Sequence, residues 1–86
     1  MKNDLLANLD ALHTTELGVV RIKKNLGLDT RDVVAWCRQK ITDAPDIIRK
    51  GKNWYVHVDA ITITVNAHSF TIITAHREKE GTRSFR

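Results

Sequence analysis

At Pro45 the hydrophobic period of this chain changes, and that change restricts its fold more than any other feature. Before Pro45, apolar residues recur three and four apart, the spacing of one helix face. After it they alternate with polar residues, the spacing of a half-exposed sheet. Helices followed by consecutive strands specify an α+β domain. The short links between the strands favour an antiparallel meander.

The first half predicts two or three helices. Leu5, Leu6, Leu9 and Leu12 share one face of a helix opened by Asn3 or Asp4. His13-Thr14-Thr15 breaks it, and a Thr there caps a second helix with the stripe Val19, Ile22, Leu26. Gly27 suits its end. Asp29 or Thr30 caps a third, where Val33, Trp36, Cys37, Lys40 and Ile41 share a face. The second half predicts a short strand at Ile47-Ile48-Arg49, a basic turn, and strands at 54–58, 61–66 and 70–76. The predicted architecture packs the helices on one face of a sheet of three or four strands. Residues 1–77 form the domain, and 78–86 read as a polar, mobile tail.

Parity assigns the side chains. Pairing Val58 with Ile61 and Asn66 with Thr71 sets Ile61 beside His76 and Thr62 beside Ala75. An apolar face then collects Trp54, Val56, Val58, Ile61, Ile63, Val65, Phe70, Ile72 and Thr74, with His76 at its rim. The opposite face collects Tyr55, His57, Thr62, Thr64, Asn66, Thr71, Ile73, Ala75 and Arg77. His57 and Arg77 lie at one end of that face, roughly 10 Å apart. A one-residue slip, or a bulge near Asp59-Ala60, would carry a histidine to the other face. Ile73 fits the polar face poorly.

Charge points to a partner. Residues 1–46 balance seven Lys and Arg against seven acids, whereas 47–86 carry seven against three. The whole +4 excess lies in the second half, as a polyanion-binding surface requires. Ordinary solubility explains the same number. The single cysteine, Cys37, excludes an internal disulfide and reads as buried. No helical His-x-x-x-His or Cys pair suggests a metal, and no cofactor loop stands out. No apolar run reaches eighteen residues, so no membrane is expected, and Met1-Lys2-Asn3-Asp4 opens no signal segment. The cytoplasm is the expected compartment.

The strings KGKNWYV (50–56), ITVN (63–66) and SFTIITAHR (69–77) resemble a small bacterial family of domains of unknown function, the DUF 3781 type. That resemblance spans about residues 5–77 and implies no activity. A looser, fold-level similarity is to the RelE-type and colicin-type ribonuclease toxins, whose fold class it shares. It implies metal-independent RNA cleavage by side chains on the sheet.

Such cleavage needs a base for the 2′-OH proton, an acid for the leaving oxygen and a cation for the phosphate. Histidine suits both proton roles near neutral pH. The candidate catalytic residues are His57, His76, Arg77 and Tyr55, with Tyr55 stacking on a base or donating its proton. Lys50, Lys52, Thr62, Thr64, Asn66, Ser69 and Thr71 are candidate substrate contacts. The expected function is a toxin-type ribonuclease acting on tRNA or mRNA, with RNA and an antitoxin-like protein as partners. The alternative is a non-catalytic module binding nucleic acid or protein, such as a phage or mobile-element inhibitor. A homodimer paired through an exposed sheet edge is a third reading.

Overall fold

The computed structural model describes residues 4–78. Three helices, α1 (Asp4–Ala7), α2 (Glu16–Leu26) and α3 (Val33–Asp43), precede four strands. The strands are β1 (Asp46–Lys50), β2 (Asn53–Val58), β3 (Ile61–Asn66) and β4 (Ile72–Arg77). They form one antiparallel sheet in the order β1-β2-β3-β4, the meander that the short links favour. Among the described residues, no helix is long and apolar enough to cross a membrane.

The helix ends follow local chemistry. Thr15 caps α2 by accepting the Gly18 N–H at 2.9 Å, and Gly27 ends it at φ 66°. The third helix is capped by Asp32, not by Asp29 or Thr30: its Oδ1 accepts the Ala35 N–H at 2.9 Å. The predicted first helix is broken. After α1 the chain makes a single 3-10 turn, Leu9–Ala11, and leaves it extended at Leu12. That extension lets His13 form a parallel bridge with Thr71 beside β4. Leu5 and Leu12 still reach the core, while Leu6 is exposed.

The core lies between the helices and one sheet face. Ile22 and Leu26 of α2, with Val33, Cys37 and Ile41 of α3, pack against Trp54, Val56, Ile63, Val65, Ile72 and Ala75. Each fully buried aliphatic side chain contributes roughly 1.5–3 kcal/mol by leaving water. Trp54 meets Phe70 with ring centroids 5.4 Å apart. Lys40 spans the Trp36 ring and reaches Asp59 at 2.6 Å, so its stem packs while its ammonium stays at the surface.

The β2–β3 link is a two-residue turn in which Asp59 and Ala60 both take positive φ, 51° and 61°. Both central residues of a type I′ hairpin need that region. The β2–β3 register pairs His57 with Thr62 and Val58 with Ile61, as parity predicts. The β3–β4 register does not follow the prediction. Val65 pairs with Ile72 but Thr64 pairs with Thr74, which leaves Ile73 as an unopposed bulge residue. Beyond the bulge every side chain changes face: Ala75 is buried opposite Ile63, and His76 stands opposite Thr62.

Candidate functional site

The sheet face turned away from the helices is a lattice of mostly polar side chains in three rows. The first row runs Asp46, His57, Thr62, His76 across the four strands. The second runs Ile48, Tyr55, Thr64, Thr74. The third runs Lys50, Asn53, Asn66. Directly opposed residues share a face with Cβ atoms about 5 Å apart, so each row brings its members into reach of their neighbours.

The first row carries the chemistry. His57 Nδ1 lies 2.8 Å from Glu78 Oε2, and the Thr62 hydroxyl donates to the same oxygen at 2.9 Å. Thr62 Oγ1 is also 3.3 Å from His57 Nδ1. A carboxylate only accepts, so Nδ1 carries the proton of that bond, and in the neutral ring Nε2 is the nitrogen with the lone pair. The His57 side chain retains 37% of its exposure, enough to meet a substrate while paired. His76, exposed on the far side of Thr62, donates Nδ1–H to the Arg77 carbonyl at 3.3 Å. Its Nε2 is the nitrogen turned to other partners. His57 and His76 stand two strands apart, about 10 Å at the backbone.

Glu78 lies in the segment that the sequence assigns to a mobile tail. Its backbone N–H donates to the Ala60 carbonyl at 2.8 Å, extending the β3–β4 pairing by one residue. The rest of that predicted tail, 79–86, lies outside the described residues. Glu78 shares the parity of His76, so a strand run on past Arg77 would have marked it.

The other candidate residues divide by location. Arg77 does not share the polar face. It pairs with Ile61, on the helix side, and its Nη2 donates to the Leu26 carbonyl at 2.9 Å. There it caps the C-terminus of α2, where a cation complements the helix dipole. The expected pairing of His57 with Arg77 is thus replaced by His57 with His76, because the Ile73 bulge exchanges their faces. Tyr55 is half-buried, and its hydroxyl accepts from Asn53 Nδ2 at 3.4 Å. Lys50 is exposed at the end of β1, and Lys52 is exposed in the turn after it. Thr62 and Thr64 are nearly covered by the side chains around them.

Asn66, Ser69 and Thr71 gather at the opposite end of the sheet, about 13 Å from the His57 row. Asn66 Oδ1 accepts the backbone N–H groups of His68 and Ser69, both at 2.9 Å, and so shapes the β3–β4 turn. Ser69 Oγ, Thr71 Oγ1 and His13 Nε2 continue this network at 2.7 and 3.0 Å. These residues organise a turn and hold the 12–14 segment in place. Among the described residues, no three His, Cys, Asp or Glu side chains converge as a metal would require.

The family model for a protein of unknown function, DUF3781, matches residues 6–76. The chain belongs to the DUF3781 family. The match ends at His76 and so takes in both sheet histidines, Tyr55, Lys50 and Thr62. No curated protein and no solved structure matches the chain. Membership in DUF3781 brings no activity with it, and the chemistry of the site has to be argued from its own atoms.

Proposed function

We propose that this DUF3781 protein is a metal-independent ribonuclease of toxin type, acting on tRNA or mRNA. One observation carries the reading: His57, buttressed by Glu78, and His76 flank Thr62 on the same open sheet face.

The chemistry follows from that arrangement. Glu78 fixes the Nδ1–H tautomer of His57, which leaves Nε2 to accept a 2′-OH proton. The 2′ oxygen then attacks the adjacent phosphorus, closing a 2′,3′-cyclic phosphate. The bond from phosphorus to the 5′ oxygen breaks, and His76, as the imidazolium, gives that oxygen its proton. The His76 imidazolium offsets the charge that develops on phosphate. Thr62 donates to Glu78 and holds the carboxylate toward His57, a positioning role. Separate base and acid suit cleavage, since the attacking and leaving oxygens lie on opposite sides of phosphorus.

The test is incubation of purified protein with total RNA in EDTA. The expected result is cleavage to 2′,3′-cyclic phosphate ends, lost by about 10²-fold or more in His57→Ala and in His76→Ala. Glu78→Gln lowers kcat and changes its pH profile, whereas DNA, which lacks the 2′-OH, stays intact. RNA uncut across a range of protein concentrations overturns the enzyme. If RNA is then bound with an affinity that falls steeply with salt, the chain is a binding module instead.

A further inference from the structure

Between β1 and β2 the open face holds a depression of about 380 Å³ lined by Ile48, Lys50, Tyr55 and His57. Ile48 and Tyr55 are cross-strand partners, so an aliphatic side chain and a phenol ring form its middle. Lys50 lies one row to one side of that pair, and His57 one row to the other. Ile48 is 44% exposed, an apolar side chain that the fold leaves uncovered at this point.

We propose that this depression binds one unpaired nucleotide of RNA, the one whose 2′-OH His57 activates. The proposal rests on the ribonuclease reading and adds the substrate's orientation to it. A nucleobase is planar and apolar on its faces, and it stacks on an aromatic ring without regard to sequence. Adjacent rows of a strand lie about 7 Å apart, the reach of one ribose from its base to its phosphate. A base on Ile48 and Tyr55 therefore puts one of its phosphates over His57 and the other at Lys50. Cleavage by a 2′-OH fixes which is which. The attacked phosphate is the 3′ one of the same nucleotide, so the 3′ phosphate lies in the His57–Thr62–His76 row and the 5′ phosphate meets the Lys50 ammonium. A base inside a duplex cannot present its face to the ring, so the substrate is single-stranded here.

Titration of the full chain with adenosine 3′,5′-bisphosphate, followed by amide NMR, tests the pocket without any bond to cleave. The expected result is shifts centred on Ile48, Lys50, Tyr55 and His57. Affinity falls about tenfold in Tyr55→Ala and is kept in Tyr55→Phe, which retains the stacking ring. Ile48→Ser weakens binding less, and adenosine 5′-monophosphate shifts Lys50 more than His57. In RNA cleavage, Tyr55→Ala raises KM more than it lowers kcat. Bisphosphate bound in the pocket while RNA stays intact supports the nucleotide site and removes the catalytic reading. RNA cleaved with KM unchanged in Tyr55→Ala and Ile48→Ser overturns the pocket and leaves catalysis standing. Shifts confined to the Asn66–Thr71 end, or none at millimolar bisphosphate, overturn the pocket as well.

Discussion

The two faces of this sheet are built from the same four strands, yet they do different work. On the helix side, Val56, Ile63, Val65, Ile72 and Ala75 are fully or almost fully buried. On the other, His57, Thr62 and Glu78 use their polar atoms on one another, and the Tyr55 hydroxyl accepts from Asn53. Helix-side residues are fixed by volume, and open-face residues by hydrogen-bond geometry. Substitutions should therefore separate stability from activity according to face. Neighbours in sequence that point opposite ways give the sharpest contrasts.

The largest effect on stability should come from the centre of the helix side. Ile63 has no exposed surface and sits in an interior strand. Ile63→Ala is expected to cost about 2–5 kcal/mol in urea unfolding, a large share of the stability of a domain this size. The opposite-face change Thr74→Ala should lie within about 0.5 kcal/mol. Equal losses at the two positions would erase the distinction between faces.

Arg77 and His76 offer an adjacent pair. Arg77→Ala removes the charged donor from the Leu26 carbonyl and should lower stability by about 1 kcal/mol. RNA cleavage per folded molecule should not change. His76→Ala should do the reverse, with melting nearly unchanged and cleavage lost. If Arg77→Ala abolishes cleavage in folded protein, the guanidinium belongs to the site and the face assignment is wrong.

How far this could be read from residues alone depends on whether the signal is local. The period change at Pro45, the Thr15 cap, the Gly27 stop and the Asp59-Ala60 turn are local, and each lies where the sequence predicts it. The break in the first helix is not local. It accompanies the bridge between His13 and Thr71, which are 58 positions apart. The bulge is not local either. Ile72-Ile73-Thr74-Ala75-His76 suits either parity, since Ile and Thr both favour strands. Packing against α2 settles it: small Ala75 turns inward, and Asn25 Nδ2 donates to its carbonyl at 3.3 Å. Glu78 was hidden for the same reason, because its role depends on which face His76 takes.

The bulge can be tested by removing it. Ile73 has no partner on β3, so its deletion restores regular alternation and leaves His76 opposite Thr62. The expected cost is on the order of 1 kcal/mol, with cleavage retained. Were Ile73 an ordinary paired residue, deletion would exchange the faces of everything after it, and the protein would unfold or lose activity.

The smallest effect concerns Cys37, buried on the core side of α3, where burial pushes the pKa of its thiol up to about 12. It should resist iodoacetamide in the native state and react on unfolding. The unfolded thiol ionises near its ordinary value of 9.0, while the folded one stays protonated. The stability it contributes is complete below pH 9 and is lost as pH rises toward 12. Ready alkylation of native protein would contradict a close-packed helix side.

The claim on which the rest depends is that His57 and His76 share one face, with Thr62 between them. NOE spectroscopy of the histidine rings measures this directly. The account predicts contacts from both imidazoles to the Thr62 methyl group, within about 5 Å. His76 contacts to Ile61 or to α2, with none to Thr62, would put the two histidines on opposite faces and contradict it.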